Sequence, residues 1–151
     1  MPTEFQTADE LRGAVGRHLG HTDWLEITQD RVNLFADATG DHQWIHIDPA
    51  RAKDGPFGAT IAHGFLTLSL TNYFLPQLLA VPGAAMGINY GSNKVRYPAP
   101  VRVGSRVRMG CEIVESTDVP GGVQLVLRHT VEVEGGDKPA CVAESINRYL
   151  F

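Results

Sequence analysis

An acid and an imidazole lie close together in Gly40-Asp41-His42-Gln43-Trp44-Ile45-His46, and His63-Gly64 opens the most apolar stretch of the chain. A carboxylate and an imidazole take and return protons near neutral pH, with reference pKa values of about 3.9 and about 6.5. A glycine at a helix entry adds an unpaired amide at the positive end of the helix dipole, and without a side chain it lets an incoming carbonyl come close. Asp41, His46 and Gly64 thus supply proton transfer together with stabilisation of an oxyanion. Gln43 can donate and accept beside the pair, and His63 fits either a structural bond at the helix entry or a part in the site. Taken singly, Asp41 also fits a turn bond, His46 a structural histidine and Gly64 close packing; the ordered set is what points to chemistry.

His42 and His46 also read as His-x-x-x-His. Zinc needs three or four convergent ligands, and Gln43 stands where a metalloprotease carries its glutamate, so no metal is expected. Between Lys94 and Arg108 the chain carries Lys94, Arg96, Arg102, Arg106 and Arg108 and no acid. Such a cluster suits phosphate oxygens, which arginine binds in bidentate fashion; the plainer alternative is solvent-facing strand charge.

Several elements must position these groups. Thr7-Ala8-Asp9-Glu10 is a capping box, which predicts a helix from about Ala8 to His18 that Gly20 ends. Trp24 to Ile27 is a short strand. Thr28 caps a second helix with Val32, Phe35 and Ala36 on its apolar face, and Gly40 stops it, so Asp41 leaves a helix end with its side chain free to turn inward. Asp48-Pro49 opens a helical piece through Lys53, and Asp54 to Gly58 is turn chemistry. From about Thr60 to Leu79 the residues are apolar nearly all round, which predicts one long buried helix; its polar interruptions exclude a membrane span.

After Pro82-Gly83 the period becomes two. Met86, Ile88 and Tyr90 alternate, as do Val103 to Ile113 and Val123 to Val133, with turns at Asp118–Gly122 and Gly135–Pro139 and a last strand from Ala140 to about Leu150. His129 falls on an apolar strand face and is expected to be a core histidine with its hydrogen bonds satisfied. The sum is α+β: a buried helix covered by antiparallel strands.

With 151 residues, 43% hydrophobic and 20% charged, the chain fits one globular domain spanning residues 1–151. A net charge of −4 argues against general nucleic-acid binding. The N-terminal MPTEFQTADELRGAV has neither a basic nor an apolar leader region, so the expected location is the cytoplasm, with no membrane partner. Cys111 and Cys141 match neither a zinc nor a disulfide pattern and read as reduced packing residues.

Three motifs in order, Gly40 to His46, Phe57-Gly58-Ala59-Thr60-Ile61-Ala62-His63-Gly64, and Val95-Arg96-Tyr97-Pro98-Ala99-Pro100-Val101-Arg102-Val103-Gly104, resemble the MaoC-like (R)-specific enoyl-CoA hydratases, or hydratase 2. The resemblance covers nearly the whole length. It implies a hotdog fold, an antiparallel sheet wrapped around a long central helix, and a homodimer. It implies that Asp41 and His46 form the catalytic pair, that Gly64 supplies an oxyanion amide and that Asn72 supports the acid. The implied substrate is an acyl-CoA, with no separate cofactor. The family usually has Asn-Pro where this chain has Gln43-Trp44, which bears on positioning and substrate shape more than on the reaction.

Adding water to an enoyl thioester requires a base for the water proton, a donor for the proton arriving at Cα and stabilisation of the enolate oxygen between the two events. Asp41 is assigned as base, on the expectation that burial raises its pKa, and His46 as the group that orients water and relays the proton; the reverse assignment stays open. A thioesterase on the same fold is the alternative, weakened because residues 62–77 hold no acid on which that chemistry typically relies. A non-catalytic acyl-CoA-binding subunit is the other; the altered Gln43-Trp44 supports it, and the presence of both Asp41 and His46 opposes it.

Overall fold

A computed structural model describes all residues from Met1 to Phe151. The first part of the chain is made of short pieces: β1 (Thr3–Glu4), α1 (Ala8–Gly13), β2 (His18–His21), β3 (Leu25–Glu26), α2 (Gln29–Thr39), α3 (Trp44–Ile47) and α4 (Pro49–Ala52). A helical rod follows, formed by α5 (Gly64–Ser69), α6 (Thr71–Phe74) and a 3-10 turn at Leu75–Gln77; then β4 (Leu79–Ala80) pairs in parallel with β1. Four long strands complete the chain: β5 (Met86–Arg96), β6 (Arg106–Val119), β7 (Gly122–Val133) and β8 (Pro139–Leu150).

The strands run in the order β2-β6-β7-β8-β5, antiparallel throughout, with β3 also on β6. Their pairing follows from hairpins at the two predicted turns, which set Val119 opposite Gly122 and Glu132 opposite Pro139. One face carries Val107, Met109, Cys111 and Ile113 of β6 beside Val123, Leu125, Leu127 and Val131 of β7, all fully buried. These share a single apolar cluster with Leu66, Leu70 and Phe74 of the rod. Both cysteines are buried free thiols. No helix is long and apolar enough to cross a membrane.

Several sequence expectations change. The first helix ends at Gly13 rather than His18, because Gly16 turns with φ 89° and Gly16 and Arg17 already exchange main-chain hydrogen bonds with Ile113 of β6. The rod is shorter than predicted and segmented. Thr60 to Ala62 lie extended, with Ala62 N–H donating to Val101 (2.8 Å) and Val103 N–H to Thr60 (2.9 Å), and Leu79 and Ala80 have joined β1. Nor is the rod buried on every side, since Phe65 and Tyr73 are exposed. Met86, Ile88 and Tyr90, expected to face a core, are exposed as well, because β5 is an edge strand that nothing else in the chain covers.

Candidate active site

Helix α2 delivers Asp41. Thr28 accepts from the Arg31 N–H (3.2 Å) at its start; at its end Gly40 takes the left-handed conformation (φ 78°) and returns its N–H to Ala36, as the caps predicted. The next residue is Asp41, whose carboxylate is exposed rather than turned into the core and accepts a long turn bond from Gln43 N–H (3.4 Å). Gln43 in turn starts α3, a single turn that the sequence did not signal and that carries His46. Where the resemblance implies a proline stands Trp44, partly buried, with Arg51 4.3 Å over its ring and Gly55 so close that a Cβ there would lie 3.2 Å from the indole. Packing thus holds a turn that proline would hold covalently.

His46 is buried and fixed from three sides. Its Nδ1 lies 2.7 Å from the Ile61 carbonyl oxygen, its own carbonyl accepts from Gln29 Nε2 (2.7 Å), and its ring stacks on His63 with centroids 3.8 Å apart at 23°. A carbonyl only accepts, so Nδ1 carries the hydrogen and Nε2 keeps its lone pair. Gln29 is itself held by the Thr60 hydroxyl, which donates to Oε1 (2.6 Å). Burial pushes the His46 pKa below its ordinary 6.5, against the opposing pull of the Ile61 bond and the Asp41 charge.

One ligand atom each from Asp41, His46 and His63 lies within 4.8 Å of the others. That span suits one water molecule bridging carboxylate and imidazole through two bonds of about 2.8 Å. It suits a metal poorly: nearly parallel stacked rings send their in-plane lone pairs side by side, whereas zinc needs them to converge at about 2.0–2.1 Å. His42 points elsewhere, its Nε2 2.9 Å from the Asp37 carboxylate, so the His-x-x-x-His spacing brings no second ligand to His46.

Gly64 begins α5 with no acceptor in the chain for its N–H. The Tyr97 ring packs over it, 3.1 Å from where a Cβ would stand, so close packing and an open amide coexist at this glycine. Phe57, Ile61, Ala62 and Thr67 continue with Tyr97 and Val101 around an apolar cavity of about 310 Å³.

Other predicted residues are not brought here. Asn72 is exposed and lines a separate cavity with Asn89, Asn147 and Tyr149, making no bond to Asp41. The basic cluster is divided. Arg108 pairs with Glu132 across β6 and β7 and Arg106 with Glu134 just past the end of β7, Arg102 donates to the Phe57 carbonyl (2.8 Å), and Lys94 and Arg96 line a cavity of about 230 Å³ on the β5–β8 side with Glu144. His129 is core, as expected, but its Nδ1 is buried without a partner. Sequence reasoning passed over Gln29, Thr60, the Ile61 carbonyl and the packing of Tyr97; none carries a local signal, since each acts across a tertiary contact.

Residues 10–134 match the family model described as MaoC like domain. The chain belongs to the MaoC-like family. This MaoC-like chain is 58% identical over 147 residues to 3-hydroxyacyl-thioester dehydratase Z of Mycobacterium tuberculosis, covering 97% of each chain. Among solved structures it resembles R-hydratase PhaJ1 from Pseudomonas aeruginosa, with a TM-score of 0.77 and 26% identity over 96% of this chain and 86% of that one. It also resembles the (R)-hydratase from A. caviae involved in PHA biosynthesis, with a TM-score of 0.73 and 26% identity over 88% and 94%. The sheet packed on a helical rod is the hotdog fold, here with its central helix in short segments.

Proposed function

We propose that this protein is a hydro-lyase that reversibly adds water to a trans-2-enoyl-CoA to give the (3R)-3-hydroxyacyl-CoA. One observation carries the reading: the Asp41 carboxylate and a His46 nitrogen lie within 4.8 Å of each other, next to a helix entry with an unpaired amide. The names of the relatives, a 3-hydroxyacyl-thioester dehydratase and two R-hydratases, support the substrate class and the hand of the product.

In the hydration direction a water held by Asp41 and His46 attacks Cβ, and the base takes one of its protons. The alkene electron pair moves through Cα to the thioester oxygen, where the Gly64 N–H stabilises the enolate. Collapse of the enolate takes a proton at Cα, relayed through the same pair, so H and OH have been added and nothing is oxidised. The assignment of Asp41 as base assumed burial. Asp41 is exposed and His46 is buried with Nε2 bare, so the support moves to His46 Nε2 as proton acceptor and to Asp41 as the group that holds the second hydrogen and stabilises the imidazolium. No cofactor is needed, because base, relay and oxyanion donor are all in the chain. Lys94, Arg96 and Arg102 stay as candidates for the coenzyme A phosphates, since none is in an ion pair. The proposed setting is the cytoplasm, which the free thiols suit, and the proposed assembly is a homodimer formed along β5.

Crotonyl-CoA is the test. Wild-type protein is expected to bleach the enoyl absorbance without releasing thiol, and Asp41→Asn and His46→Gln each to lower the rate by about a hundredfold or more with the fold retained. Thiol release from saturated acyl-CoA would replace this reading with a thioesterase, and binding with neither reaction would replace it with a carrier.

A further inference from the structure

His63 is the group at the site whose environment is least explained by the chemistry so far. It is 3% exposed, yet its Nδ1 has no hydrogen-bond partner. Its Nε2 lies 3.0 Å from the main-chain carbonyl oxygen of Asp41, so Nε2 carries the hydrogen and Nδ1 the bare lone pair. One side of the ring stacks on His46, and Phe35 of α2 packs against it at 4.9 Å and 57°. The single side chain therefore touches both members of the Asp41 and His46 pair.

We propose that His63 is the positioning residue of that pair: its Nε2–H ties down the main chain from which the Asp41 carboxylate projects, and its ring fixes the plane of the His46 imidazole. The need is local. Beyond the left-handed Gly40, Asp41 is otherwise held only by contacts with its own neighbours, a donation to Thr39 Oγ1 and an acceptance from Gln43 N–H, each at 3.4 Å. Helix α3 is a four-residue turn. His46 has further ties to the Ile61 carbonyl and to Gln29, whereas Asp41 has no other long-range tie, and a misplacement of about 1 Å costs roughly a hundredfold in rate. His63 sits at the head of the rod, with its main-chain carbonyl accepting from Leu66 and Thr67, so it transmits the rod's position to both groups.

The proposal rests on the hydratase reading of the same site, and the test separates the two. His63→Phe keeps a ring and loses the donor; His63→Gln keeps a donor near the Nε2 position and loses the ring. With crotonyl-CoA, His63→Phe is expected to lower kcat by about thirtyfold or more and His63→Gln by about tenfold, with KM within about threefold of wild type for both. Wild-type kcat in either variant, or a loss confined to KM, would overturn the positioning role. Circular dichroism identifies a variant that does not fold. The wild type then decides: long-range proton–nitrogen correlation spectra are expected to show His63 as the Nε2–H tautomer, and an Nδ1–H tautomer would refute the tether. If the wild type hydrates no enoyl thioester, the functional reading fails while the tautomer still tests the tether.

Discussion

Burial and hydrogen bonding act on His46 in opposite directions, and burial is the larger effect. The imidazole therefore stays neutral, with Nε2 able to accept a proton, to a pH below its ordinary 6.5. Because the pKa is lowered, activity that depends on the neutral ring is present above the lowered value and lost as pH falls through it. The acid limb of kcat/KM against pH is accordingly expected to have its midpoint below 6.5, and a midpoint above that value would contradict a neutral His46 held by burial as the base. At the same scale the types and order of Asp41, His46 and Gly64 were legible in the chain, since each has few alternatives as a proton carrier or an open amide. The tautomer was not, because it depends on the Ile61 carbonyl, fifteen residues away.

Element by element, local chemistry and tertiary pairing competed. Helix α2 was readable because Thr28 and Gly40 satisfy its own end groups. The rod was not, because Thr60 to Ala62, apolar enough to continue a helix, gain main-chain partners at Ile45 and Val101 that a helix would not give them. That extended approach is what leaves Gly64 as the first residue of the rod with its N–H open. Gly64→Ala would put a Cβ about 3.1 Å from the Tyr97 ring. It is expected to lower kcat about tenfold or more. The double variant Gly64→Ala/Tyr97→Ala separates causes: persistence of the loss assigns it to the blocked approach of the carbonyl, and recovery would reduce the glycine to a packing role.

Across the whole molecule two features bear on assembly and stability. Strand β5 is an uncovered edge bearing Met86, Ile88 and Tyr90, while Phe65 and Tyr73 stand exposed on the rod; a bare edge with apolar side chains invites a second strand. Sedimentation of the wild type is expected near twice the 16.5 kDa chain mass, and Ile88→Glu is expected to shift it toward monomer. A monomeric wild type would remove the homodimer. In the sheet core, burial pushes His129 from 6.5 down to about 4. The unfolded chain then takes up the proton first, so the stability this neutral ring permits is full above 6.5 and drains as pH falls toward 4, by about 3 kcal/mol. Replacing His129→Leu is expected to flatten that part of the stability profile in chemical denaturation, and an unchanged slope between pH 4 and 6.5 would show that the ring is not the group titrating.

The amino-acid order by itself determined the α+β class, the two hairpin turns, the caps of α2 and which side chains are chemically fit for proton transfer, because these follow from neighbouring residues and their periodicity. It did not determine that Asp41 stays in solvent while His46 is buried, that Arg106 and Arg108 are taken up by Glu134 and Glu132, or that β5 lies bare. Those outcomes depend on which distant main-chain and side-chain groups meet, and only the packed sheet and rod decide that.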